Sequence, residues 1–329
     1  MAHPKRIKHF RSTLLWPTAA ERILASRSID VFSHERGVRE GVDPEAIHDM
    51  RVALRRLQAA LRLFKVCYPP KRLRRYRRQL RTLLQALGAV RDQDVIIGAL
   101  ALHAEASAGP VKEGLARVMA QRRTVQQQER AKSLRLLDKL EMGNFSQSLL
   151  TFVRGARGFK RVASQRQFGT EVIGIAAKAL SSWNGRRREV QAQGDSETLH
   201  QMRIAIKHLR YTMELCRLAN GHQYQGCVER LTEMQRVLGD IHDADVLVEC
   251  LAESLPCAPI AALRGLADIM TVIRQKREDL IRCFFRMISS RNLGPLKLVP
   301  GGPAPARRSD PRQMKQALHR TKVVSGRVR

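Results

Sequence analysis

Two stretches of this 329-residue chain carry the side chains best able to do chemistry. "IHDMRVALRRLQ" (residues 47–58) sets His48, Arg51 and Arg55 within about two helical turns. "LHQMRIAIKHLR" (199–210) repeats the pattern with His200, Arg203 and Lys207. Arginine offers a rigid fork of donors that grips two phosphate oxygens at once, lysine a mobile point charge, and histidine a donor whose charge changes near neutral pH. That set of side chains suits an oxyanion.

On a helical wheel the two stretches share one phase. Ile47, Met50, Leu54, Leu57, Leu61 and Phe64 form an apolar face, with His48, Arg51, Arg55 and Arg62 in a stripe directly beside it. In the second stretch Leu199, Met202, Ile206, Leu209 and Met213 make the face, and His200, Arg203, Lys207 and Arg210 the stripe. One such stripe reads as long stems lying along a core edge. Two in the same register, each led by a histidine, read as cations pointing into a shared crease. The histidines also have a structural reading, in which they bond and orient the neighbouring segment.

The repeat extends further. "LGAVRDQDV" (87–95) recurs as "LGDIHDADV" (238–246), an offset of 151, while His48 and Met50-Arg51 recur at His200 and Met202-Arg203, an offset of 152. A duplicated helical unit follows. The expected architecture is all-α, two four-helix bundles related by a pseudo-two-fold axis with a basic groove between them. Both LGxxxDxDV stretches read as turns. Their aspartates, Asp92, Asp94, Asp243 and Asp245, are expected to orient the basic side chains as supporting groups. A further segment, "KRLRRYRRQLR" (71–81), has seven cations in eleven positions. Leu73, Tyr76 and Leu80 keep it a packed helix, and Arg74, Arg78 and Arg81 extend the basic surface. The second copy holds only Arg230 and Arg236 there, so the field leans toward the first copy.

The elements that must position these residues are helices. Periodicity predicts them over 18–40, 44–67, 71–88, 92–106, 111–140, 145–157, 170–192, 196–219, 222–239, 242–254 and 259–289, separated by Gly/Pro/Asn/Asp turns. Asp43 before Pro44 reads as a helix cap, and Asp195 as its counterpart. The chain divides into a basic segment (1–17), a helical region (18–290, with copies at about 18–157 and 170–290) and a basic Pro/Gly-rich tail (291–329) expected to be disordered.

Composition agrees. Lys plus Arg number 60 against 30 Asp plus Glu, a formal charge of +30. Such a field calls for a polyanion: nucleic acid, acidic lipid or polymeric phosphate. Aromatics are 5%, too few to supply stacking platforms for bases. No helix pairs a basic face with an exposed apolar one and no apolar run spans a membrane, so a membrane is not an expected partner. The six cysteines lack metal spacing and read as reduced core thiols of a cytosolic protein. No phosphate-loop, nucleophile-elbow or zinc motif appears, and no catalytic residue, metal or cofactor is expected. The dipeptide "HD" occurs at His48-Asp49 and His242-Asp243, but each loses a member in the other copy, to Gln201 and Arg91. A metal-dependent phosphohydrolase of HD type is therefore a remote alternative, and a nonspecific DNA- or RNA-binding helical protein a nearer one.

The segments "HDMRVALRRLQAALRLF" and "HQMRIAIKHLRYTMEL", each followed by LGxxxDxDV, resemble the CHAD domain, the conserved histidine α-helical domain, whose polyphosphate-associated members are called phosins. The resemblance covers about residues 18–290. It implies a stand-alone, non-catalytic module on two pseudo-symmetric four-helix bundles, binding inorganic polyphosphate and associated with cytoplasmic polyphosphate granules, with weak nonspecific nucleic-acid binding besides. The polyphosphate-binding set it points to is His48, Arg51, Arg55, Arg62, Arg74, Arg78, Arg81, His200, Arg203, Lys207 and Arg210. Three departures touch single contacts: Gln58 opposite Arg210, His242 opposite Arg91, and Glu214 at the position of Arg62.

Overall fold

The computed structural model of the protein describes residues 7, 10–43, 45–155, 166–193, 196–220 and 224–289. The expected contributions of Pro44 and Asp195, most of the leading basic segment and the tail from 291 lie outside the described residues. Among those described, ten α-helices carry the fold: α1 (Trp16–Ser33), α2 (Glu35–Glu40), α3 (Glu45–Leu63), α4 (Pro70–Glu105), α5 (Gly109–Met142), α6 (Phe145–Arg154), α7 (Phe168–Gln193), α8 (Ser196–Asn220), α9 (Gln225–Ser254) and α10 (Ile260–Ile288). The fold is all-α. The described extended pairing is an isolated antiparallel bridge between Leu15 and Gln167.

Local chemistry explains the ends. The Glu45 N–H donates to Asp43 Oδ1 at 2.8 Å, which caps α3 as the sequence suggests. Proline opens α4, where a missing N–H costs nothing. The expected helix over 18–40 divides at His34, and Gly41 closes α2 with a φ of 70°.

A larger departure concerns the LGxxxDxDV stretches. They are not turns but helix interiors: the segments expected at 71–88 and 92–106 are one helix, α4, and those at 222–239 and 242–254 are one helix, α9. A lone mid-helix glycine costs only about 1 kcal/mol relative to alanine. The apolar rhythm runs straight through it, with Leu80, Leu83, Leu87, Val90, Ile96 and Leu100 all buried along α4. At about 1.5 Å per residue α4 is a rod of about 54 Å, long enough to serve two different parts of the molecule.

Sequential helices pair as hairpins, α4 with α5 and α9 with α10, while α7 packs on α8 and α1 on α3 and α6. Across the duplication α3 meets α8, α4 meets α9 and α5 meets α10, so each of these helices touches its own repeat counterpart. One apolar cluster is built from both copies: Ile96, Leu100 and Leu115 of the first pack with Leu247, Leu251 and Leu266 of the second, residues 151 apart in each case. Part of the core is thus shared between the copies rather than enclosed within either. The α5–α10 crossing is reciprocal. A side chain at Gly114 would meet Ala262 Cβ at 3.3 Å, and one at Gly265 would collide with Val111 Cγ2. Gly114 and Gly265 are 151 apart, as are Val111 and Ala262, and such mutual exchange is the signature of two-fold packing.

All eleven residues assigned to the two apolar faces are buried, including Met50, Leu54, Leu57 and Leu61 on α3 and Met202, Ile206 and Met213 on α8. Cys67, Cys216, Cys227 and Cys250 are buried free thiols, and burial pushes those of Cys216 and Cys227 up to about 12. Cys283 is half-buried and Cys257 exposed, so two of the six are not core thiols. No helix among the described residues is long and apolar enough to cross a membrane.

Candidate polyanion-binding groove

Because α3 and α8 cross with their apolar faces buried, the adjoining stripes must turn toward each other. Arg51 and Arg55 from α3 and Arg203 and Lys207 from α8 line one open groove of about 410 Å³, floored by the middle of α4 and α9 with Asp92, His242 and Asp243. The residues come in repeat-related pairs: Arg51 with Arg203, Arg55 with Lys207, Asp92 with Asp243. At its far wall Arg122 is paired with Glu253 at 2.9 Å, beside Glu249 and Cys250.

The middle of the groove holds more positive charge than its walls neutralise. Arg51 Nη2 stands 3.8 Å from Asp92 Oδ1, a loose pairing. Burial first, then Arg55, holds the Arg51 guanidinium down to about 10. Lys207 is pushed down to about 7 by burial and by Arg203, Arg55 and Arg51, which Asp243 only partly offsets. Burial lowers Arg203 as well, and raises the Asp243 carboxyl. Arg51 Nη1 and Arg203 Nε are both buried with no acceptor among the described residues. Buried N–H groups are otherwise satisfied almost everywhere in proteins. A ligand with several oxygens would supply what these donors lack.

Gly88 belongs to this site, for a reason the linear sequence does not display. A Cβ there would come within 2.7 Å of Arg51 Nη1, so the glycine lets the guanidinium lie against α4.

The remaining predicted residues divide. Arg62 donates from Nη1 to His208 Nε2 at 2.8 Å. Arginine can only donate, so the His208 ring accepts in its neutral form, and burial with Arg62 beside it pushes that ring down to about 4. Arg77 and Arg81 press on Arg62 in turn. Lys207 and Arg62 both act on His208, and Arg77 and Arg81, which act on Arg62, line a second pocket of about 430 Å³ with Lys71, Arg74, Arg75 and Arg78. His208 and Arg77 are members the sequence reading does not single out.

Arg210 is a correction. It is buried in the core, donating to Gln235 Oε1 at 2.8 Å and to Glu214 Oε1 at 2.9 Å, and does not face the groove. Glu214 also takes a 2.9 Å bond from the buried Arg56 Nε. This contact and the Arg62–His208 contact exchange under the repeat offset, since 56 and 208, and 62 and 214, are each 152 apart.

The leading histidines do not line the groove either. His48 is half-buried near Glu45 and Arg91, and burial lowers its basicity. His200 is exposed, its ring 6.2 Å from that of His242. Of the four aspartates, Asp92 and Asp243 reach the groove. Asp94 accepts from Gln126 and Asp245 from Arg277, equivalent ties of α4 to α5 and α9 to α10. Among the described residues, Glu45, His48 and Asp49 could converge on a metal ion, but Arg91 lies 3.2 Å from Glu45 and occupies the carboxylate such an ion would need.

Comparison with known proteins identifies the family and the fold. The CHAD domain family model matches residues 22–252. The crystal structure of the CHAD domain from the plant Ricinus communis superposes with a TM-score of 0.67 at 23% identity, over 87% of this chain and 97% of that one. PptA from Streptomyces chartreusis superposes with a TM-score of 0.61 at 18% identity, over 84% of this chain and 99% of that one. No curated protein matches in sequence. The repeat, the helices and the family match converge: this chain belongs to the CHAD domain family.

Proposed function

We propose that the protein is a non-catalytic binding module for inorganic polyphosphate, acting on or around polyphosphate granules. The observation that carries the reading is the groove, where Arg51, Arg55, Arg203 and Lys207 converge from both copies and two equivalent arginines keep buried donors without acceptors. Polyphosphate offers repeated anionic oxygens and no bases, which suits a site rich in guanidinium groups and without an aromatic platform. Arg62 and the α4 cations Arg74, Arg78 and Arg81 continue the surface along which a polymer can run. His48 and His200 stand at the outer ends of the two stripes.

Lys207 gives the proposal a pH signature. Its ammonium is charged below about pH 7 in the free protein, and a bound polyanion restores it toward the ordinary value of 10.5. Below pH 7 binding takes up no proton at Lys207 and the affinity is full. Between pH 7 and the restored value each binding event adds a proton to the amine, and affinity falls by up to about tenfold per pH unit. Calorimetric titration with long-chain polyphosphate at pH 8, in two buffers of different ionisation enthalpy, is expected to report net uptake approaching one proton per site. No binding overturns the functional reading. Binding without proton uptake overturns the role given to Lys207.

A further inference from the structure

The duplication is chemically broken at one place in the groove. The position filled by Arg55 in the first copy is filled by Lys207 in the second, and among the described residues Lys207 is the only amine lining the cavity. Arginine stays charged and inert to acylating agents near neutral pH, whereas a lysine amine can act as a nucleophile. Around it stand three guanidinium groups, Arg51, Arg55 and Arg203, able to seat a phosphate, and two of them keep unpaired buried donors. Asp243 faces the same space and can take a proton. A phosphate held by these arginines would put an attached acyl group beside the Lys207 Nζ.

We propose that Lys207 is a modification site for small acyl phosphates, seated by the groove arginines and transferring their acyl group to the amine. The Nζ lone pair attacks the carbonyl carbon, the C–N bond forms, and the bond from that carbon to the phosphate-bridging oxygen breaks. The electron pair leaves with inorganic phosphate, and the proton released from nitrogen passes to Asp243 or to water. The product is a neutral amide, so the groove loses the cation that a bound polyanion would otherwise restore. Burial and the neighbouring arginines depress the basicity of Lys207; a seated phosphate draws the amine back toward the ammonium, so attack proceeds from the fraction that has first given a proton to Asp243 or to water. The modification deepens the reading of the groove as an anion site, because the same cations would seat polyphosphate.

The test is incubation of the full chain with acetyl phosphate at pH 7.5, followed by peptide mass mapping. Lys207 is expected to acetylate about tenfold or more faster than the exposed Lys71, Lys112 and Lys139. Prior addition of long-chain polyphosphate is expected to protect it. Excess inorganic phosphate, which competes for the same arginines, should slow the reaction at Lys207 and not at the exposed lysines, and Lys207→Arg should remove the fast site without another lysine replacing it. Protein acetylated at Lys207 should bind polyphosphate about tenfold more weakly. Acetylation at Lys207 no faster than at the exposed lysines overturns the proposal, as does a Lys207 rate that excess inorganic phosphate leaves unchanged. Fast acetylation that polyphosphate fails to block upholds the modification site and counts against the polyphosphate reading instead.

Discussion

Reversing Arg51 and Arg203 together, as Arg51→Glu with Arg203→Glu, is expected to lower the affinity for long-chain polyphosphate by at least about a hundredfold. The two residues are repeat counterparts on facing helices, and each keeps a buried N–H without an acceptor among the described residues. A hydrogen bond to a charged group contributes roughly 1.5–3 kcal/mol, and reversal adds repulsion where attraction stood. The control is reversal of two tail arginines, Arg307→Glu with Arg308→Glu, which alters the net charge equally. If the groove is the site, the tail pair costs only a few-fold, because it lowers the net charge without removing a groove donor. Equal losses from the two pairs, measured by calorimetry or fluorescence competition, would mean that bulk charge does the binding.

The second large effect concerns stability. Glu214→Ala is expected to destabilise the fold by about 3–5 kcal/mol, the range for removing one partner of a buried ion pair. Glu214 is 7% exposed and accepts from Arg56 and Arg210, themselves 7% and 3% exposed, with the buried Arg27 close enough to feel its charge. Without the carboxylate, several guanidinium groups are left in the core with too little acid. Urea denaturation read by helical circular dichroism measures the loss, and a change below about 1 kcal/mol would show that the arginines find other partners. The groove predictions and this one are separable, since Glu214 does not line the groove.

Much of this was readable from periodicity. The two apolar faces, and the convergence of Arg51, Arg55, Arg203 and Lys207, follow from wheel phase and from duplication. Arg210 shows where that reading fails. At 100° per residue it stands about 280° from His200, only about 20° beyond Leu199 at the edge of the apolar face, so the face takes it in. Glu214, four residues on, is the signal that could have been used, because that spacing places a carboxylate directly beside it. The LGxxxDxDV stretches fail for a different reason. Glycine and aspartate together mark a turn, yet Gly88 answers to Arg51 lying across α4, a contact 37 residues away in the sequence. Gly114 and Gly265 share the repeat offset and were legible as a pair, but nothing local marks them as a helix crossing. Arg62–His208 is likewise a contact between copies that neither stretch displays alone.

Selectivity of the groove for polymeric phosphate over other polyanions is measured by letting long-chain polyphosphate and a DNA duplex compete for the same protein at physiological salt. Expressed per phosphate, polyphosphate is expected to win by about tenfold or more, because the groove cations converge on one narrow flexible chain while a duplex meets only the outer field. A duplex that matches or beats polyphosphate would contradict the account and make the +30 charge a nonspecific nucleic-acid surface.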